Sequence, residues 1–175
     1  MIDSPAGADR ESTTPATTRP PRARRAELGW FGLGLALVAY AFLAYGYLRL
    51  TPVWQNPDEP AHYNYVAFVA ETSGLPELRQ GDWDSALLER LKNGTLQPGD
   101  SIRAIRYESW QPPLLYLLAA PVYRLGPTGD PAQVLPRLRA LDAVFGAITL
   151  VIAYSIARHV FEPGLAAAVP LAMVG

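Results

Sequence analysis

Three side chains near the front of this 175-residue chain could do proton or metal chemistry together. They are Asp58, Glu59 and His62, in the stretch NPDEPAHYNYV from Asn56 to Val66. Asp58 and His62 stand four residues apart and Glu59 and His62 three, so on a helix they can share one face. A carboxylate within hydrogen-bond reach of a hydroxyl can take its proton as a general base. Two carboxylates and an imidazole also offer three ligands to a divalent cation, which alone is a weak metal signal. The bland alternative is capping, because Asp is favoured at helix N-caps and acids suit the positive end of the helix dipole. A cap needs only one acid, however, and Pro57 and Pro60 stiffen the backbone on both sides. A second polar knot lies in IRYESWQPPLLYLL, Ile105 to Leu118. There Arg106, Glu108 and Gln111 are candidate substrate contacts, while Tyr107 and Trp110 suit an interfacial aromatic belt.

These groups must be positioned by apolar elements. Fifteen Lys and Arg balance sixteen Asp and Glu, so net charge points to no nucleic acid, and no basic, aromatic-laced patch does either. The charges cluster between Gly-, Ala- and Leu-rich blocks, as in a membrane protein. Cysteine is absent, which excludes disulfides, thiolate metal sites and a Cys nucleophile. Residues 1–26 are rich in Ser, Thr, Pro and Ala without apolar periodicity, and are expected to form a disordered cytoplasmic tail ending in Arg19, Arg22, Arg24 and Arg25. Residues 27–50 are expected to form the first transmembrane helix. Its core, Leu28 to Leu48, is 21 residues without a charge, longer than a signal-peptide core. The arginines before it place the N-terminus in the cytoplasm by the positive-inside rule.

Residues 51–109 then form an extracytoplasmic loop. Within it the sequence predicts two short amphipathic helices lying flat on the bilayer. One follows a cap at Asn56 or Asp58, with Ala61, Tyr65, Phe68, Val69 and Thr72 in one stripe. The other, Asp82 to Asn93, carries Trp83, Leu87, Leu88 and Leu91. A second span is expected over 110–126, a third over 137–161 and the start of a fourth over 164–175. Arg124, Arg137 and Arg139 between the second and third favour an inward-facing turn; the rival is an interfacial helix over Trp110 to Gly126 that never crosses. The apolar run at GLAAAVPLAMVG suggests the front of a longer protein, inactive as this piece alone.

The stretches NPDEPAHYNYV, GDWD, IRYESWQPPLLYLLAAPVYRL and RLRALDAVFGAITLVIAYSIARHVF, in that order, resemble the start of polytopic glycosyltransferases of the GT-C fold. The nearest resemblance is to the bacterial family 39 proteins, related to protein O-mannosyltransferases and lipid A aminoarabinose transferases. It covers about Gly29 to Phe161. It implies an all-α polytopic membrane protein of the plasma membrane that transfers a sugar from a polyprenyl-phosphate donor to an acceptor outside the cytoplasm, with inversion. It also implies that Asp58 supplies the base with Glu59 beside it and that Gln111 stands where the family contacts the donor phosphate; His62, Arg106 and Glu108 are further candidate substrate contacts. Gln111 departs from the family pattern, where a Lys or His precedes the double proline, so neither named specificity is expected. The partners implied are the lipid-linked donor, membrane lipid, and a protein, lipid or glycan acceptor. No cofactor is implied beyond the divalent cation considered above. Two other classes fit the same residues. One is a non-catalytic membrane anchor or subunit whose outer loop binds a partner; the other is a transporter, for which Arg139 and Asp142 are the intramembrane charges.

Overall fold

The computed structural model describes residues 22–174, and among these every regular element is helical. Residues 1–21, most of the expected disordered tail, lie outside the described residues.

Helix α1 runs Arg22–Leu50, starting inside the stretch read as tail. Its Ala- and Leu-rich run contains no proline until Thr51-Pro52, where the missing N–H and the restriction on the preceding residue stop it. Helix α2 spans Glu59–Thr72, α3 Ser85–Lys92, and a single 3-10 turn Ile102–Ala104. Helix α4 covers Leu114–Tyr123, α5 Pro131–Val160, α6 Pro163–Ala166 and α7 Ala168–Val174. Asp130 caps α5 by accepting from the Ala132 N–H at 2.9 Å, and Pro131 fills the first turn, where its lost donor is not needed.

Two helices are long and apolar enough to cross a membrane: Glu27–Leu50, with mean hydropathy 1.7, and Pro131–Val160, with 1.9. Only 22% and 17% of their most apolar windows are buried, so neither is the core helix of a soluble fold. Phe31, Val38 and Phe42 on α1, and Val144, Ile152 and Ile156 on α5, point outward.

The two long helices run antiparallel. Arg139 of α5 bonds the carbonyls of Thr51 and Pro52 at the end of α1, Gly146 lies against Tyr40, and Tyr154 meets Trp30 edge-on at 5.3 Å. Everything from residue 51 to the first turns of α5 therefore gathers at one end of the pair. This corrects the expected hairpin, in which the first and third spans would run parallel. The reason lies in α4. Its ten residues extend about 15 Å, half of a ~30 Å hydrocarbon core. The span expected over 137–161 starts earlier, at Pro131, and the apolar stretch from 164 is broken into α6 and α7.

The gathered segment is a cap with its own core. Ala61, Tyr65, Val66 and Val69 of α2 pack on Tyr116, Ala119 and Tyr123 of α4 and on Val134 and Leu135 of α5. Helix α2 is buried on most of its circumference, including Asn64, whose amide donates to the Ile102 and Ile105 carbonyls at 2.6 and 2.8 Å. It is a core helix of the cap rather than the surface helix expected. Helix α3 keeps its stripe, but Leu87, Leu88 and Leu91 face this core and not a bilayer, and Trp83 lies outside the helix. At the other end of the long pair, Leu33, Tyr154 and Ala157 enclose Ala166 and Ala167 in a second, smaller core.

Candidate functional site

The loop leaving α1 must turn sharply to start α2, and it does so with two non-glycine residues in the left-handed region, Trp54 at φ 69° and Asp58 at φ 59°. Each such residue costs of order 1–3 kcal/mol and persists only where its surroundings over-determine it. Here the over-determining group is Glu59. Its carboxylate accepts from the Trp54 N–H at 2.9 Å, the Asn56 amide at 3.0 Å, and the Arg139 guanidinium through Nε at 2.7 Å and Nη2 at 2.9 Å. The remaining Arg139 donors reach the Thr51 and Pro52 carbonyls at 2.7 and 2.9 Å. Side-chain exposure is 6% for Arg139 and 8% for Glu59. A bidentate, fully bonded pair is the arrangement that makes two buried charges tolerable.

Asp58 behaves differently although it is adjacent. It occupies the N-cap position of α2, but its side chain makes no cap hydrogen bond. A capping side chain needs extended backbone to fold back on the next amides, and the left-handed geometry turns this one away. Its carboxylate is exposed and accepts from the Tyr107 hydroxyl at 2.7 Å. Tyr107 in turn packs edge-on against Trp83, ring centres 4.4 Å apart. Burial first, then the bond to Asp58, pushes the Tyr107 pKa well above the ordinary phenol value, so the phenol stays a donor and Asp58 the acceptor. Tyr107 is thus a partner of the acid and not a member of an outward belt, whereas Trp110 does point outward, 64% exposed.

The other expected residues separate into different places. His62 does not join Asp58. Its Nδ1 lies 2.8 Å from the Tyr116 hydroxyl, and Tyr116 stacks on Tyr65 at 3.5 Å. Glu108 is buried and accepts from the Gln111 amide at 2.8 Å, while the Gln111 carbonyl accepts from Tyr65 at 3.2 Å. Arg106, the expected contact for a leaving anion, turns to Asp82 at 3.4 Å, and its backbone N–H donates to the Asp82 carbonyl at 3.1 Å. The structure therefore brings Asp58 to the 107–111 segment and diverts Glu59, His62 and Arg106 to other partners. The three ligands imagined for a divalent cation diverge. Among the described residues no group of three or more His, Cys, Asp or Glu is placed to hold a metal ion.

Glu59, His62 and Arg139, with Asp142, line a groove of about 640 Å³ bounded by α1, α2, α4 and α5. Its walls are otherwise mostly apolar, and Asp58 does not line it.

Two residues that organise this region, Arg139 and Tyr107, were read from the sequence as an intramembrane charge and an interfacial aromatic. One signal could have found the first. An Arg facing into the mouth of an apolar helix demands a carboxylate, and the Asp58–Glu59 pair held a spare one. Nothing in the spacing could have found Tyr107, because its bond spans 49 residues.

No protein-family model, curated protein or solved structure matches the chain.

Proposed function

We propose that the chain is a membrane-embedded glycosyltransferase acting on a polyprenyl-phosphate sugar, with Asp58 as the general base and with the cap on the extracytoplasmic side. The observation that carries this reading is an acid at a cap position that caps nothing. Asp58 is exposed, aimed by Tyr107, and sits within a few residues of the end of a helix long and apolar enough to cross a membrane. A lipid-linked donor presents its reactive carbon at that depth. In the proposed step the acceptor hydroxyl gives its proton to the Asp58 carboxylate. The acceptor oxygen forms its bond to the anomeric carbon from the face opposite the phosphate, the carbon–phosphate-oxygen bond breaks, and the polyprenyl phosphate leaves with the electron pair. The sugar carbon inverts.

Glu59 changes role in this reading. It touches Arg139 and backbone rather than solvent, so it is a positioning residue that holds the strained loop carrying Asp58. The arginines at 19, 22, 24 and 25, ahead of the apolar run from Leu28, support a cytoplasmic N-terminus at the plasma membrane. With α1 and α5 antiparallel, the cap and the start of α5 then share the outer side. Gln111 contributes its amide to Glu108, and the leaving phosphate has no assigned partner, because Arg106 answers Asp82.

The test is sugar transfer from a polyprenyl-phosphate donor in membranes containing the full-length protein. Asp58→Asn is expected to lower turnover by about 100-fold or more, the contribution of a positioned base, with helical content unchanged. Undiminished turnover ends the assignment, and it favours the reading of the cap as a binding surface for a partner.

A further inference from the structure

The groove beside the cap holds one carboxylate that makes no hydrogen bond or ion pair among the described residues. Glu59 and Arg139 at its polar end neutralise each other, and the guanidinium is bonded through Nε and both Nη atoms. Asp142, on the same wall, has no hydrogen bond and no ion pair among the described residues. The titratable groups that act on it are His62 and Glu59, both across the groove on α2. The groove thus carries a net negative charge at one end and aliphatic walls from Leu43 and Leu48 of α1, Leu115 of α4 and Leu138 of α5. Asp142 is exposed and lines the groove, so its carboxylate is open to a partner that arrives with the occupant.

The depth of Asp142 indicates where that partner comes from. Arg139 is level with Thr51 and Pro52, at the end of α1. Asp142 lies three residues further along α5, about 4.5 Å along the helix axis away from the cap. If the two membrane-length helices cross a bilayer, that is near headgroup depth, and residues of both helices line the groove beyond it.

We infer that the groove binds a membrane phospholipid whose headgroup ends in a primary ammonium, with an acyl chain on the aliphatic walls, the ammonium on Asp142 and the phosphate towards His62. The charge excludes an anionic headgroup from the same position. A trimethylated headgroup carries the same charge but no N–H to donate, so it forfeits the charge-assisted hydrogen bond. The volume, about 640 Å³, is that of a small-molecule pocket and suits a headgroup with part of one chain. This inference goes beyond the transferase reading and does not depend on it, because Asp58 lies outside the groove.

The experiment is lipid binding to the full-length protein in nonionic detergent, followed by native mass spectrometry. Phosphatidylethanolamine, phosphatidylcholine and phosphatidylglycerol with identical chains are compared. Phosphatidylethanolamine is expected to bind about tenfold tighter than phosphatidylcholine, the worth of one charge-assisted hydrogen bond, with phosphatidylglycerol weakest. Asp142→Asn should bring phosphatidylethanolamine to within about twofold of phosphatidylcholine, and Asp142→Glu should keep the preference. Phosphatidylglycerol binding as tightly as phosphatidylethanolamine, or an undiminished preference in Asp142→Asn, overturns the inference. If Asp142→Asn fails to fold by size exclusion, the wild-type ranking decides alone: no preference for the primary ammonium over the trimethylated headgroup refutes it.

Discussion

Arg139 reaches across 80 residues of sequence to Glu59, and both side chains are more than nine-tenths buried. Removing one partner of such a pair leaves an uncompensated buried charge. Arg139→Ala is therefore expected to destabilise the cap by about 3–5 kcal/mol, measured as a lowered unfolding midpoint in detergent. The paired replacement Glu59→Gln with Arg139→Met should recover much of that loss, because no charge is then stranded. On the proposed transferase reading, the same single change should also lower sugar transfer, since the Glu59 network holds Trp54 and Asp58 in left-handed backbone. Transfer that survives Arg139→Ala unchanged would show that the loop holds its geometry without the pair.

Among the elements, α3 is the most lightly attached, and one ion pair clasps it. Arg90 donates to Asp100 through Nε and Nη2, both at 2.8 Å, and the Gln97 N–H adds a third bond at 2.9 Å. The Arg90 bonds, then the Gln97 amide, hold the Asp100 pKa down at about 2. The folded value lies below the ordinary ~3.9 of a free Asp. The stabilisation is thus fully present above about pH 4 and is lost as pH falls towards 2. Thermal unfolding followed from about pH 5 to about pH 2 should show the wild type converging on Asp100→Asn at the acid end; a constant gap would refute the clasp. A second element-level prediction concerns α1 against Ala167, at the junction of α6 and α7. A Cβ built on Gly32 would lie 2.5 Å from the Ala167 Cβ, whereas one on Gly34 meets nothing within 4 Å. Gly32→Leu should cost about 1–3 kcal/mol through overpacking, while Gly34→Leu should stay within about 0.5 kcal/mol. Equal effects in thermal unfolding would mean that the junction of α6 and α7 does not pack on α1.

For the whole molecule, the antiparallel pair makes a claim about sides. If the two long helices cross a bilayer, residues 51–130 share one side and residue 162 lies on the other. The chain has no cysteine, so single cysteines report cleanly. Thr95→Cys and Gly129→Cys should both react with an impermeant thiol reagent in intact cells, and Glu162→Cys only after lysis. Labelling of Gly129→Cys only after lysis would instead restore the hairpin, with 110–126 crossing. The outcome rests on α4, whose ten residues present Leu114, Leu117 and Leu118 outward while Tyr116, Ala119 and Ala120 pack inward on the cap.

Composition and periodicity alone specified a long apolar helix ending at residue 50, a helix following a cap at Asn56 or Asp58, and the stripe of Leu87, Leu88 and Leu91 on α3. These are local properties: hydropathy over one span, the geometry of one turn, the 3.6-residue repeat of one helix. Direction and partnership are not local, and only the tertiary structure decided them. Nothing in the run from Trp110 to Gly126 says that its helix stops after ten residues, because Pro112, Pro113 and Pro121 are compatible with either course. Likewise Asp58 and Glu59 are chemically alike and adjacent, yet one is exposed on Tyr107 and the other buried on Arg139. What separates them is the left-handed turn between α1 and α2, which points neighbouring side chains in opposite directions, and two partners that arrive from 49 and 80 residues away.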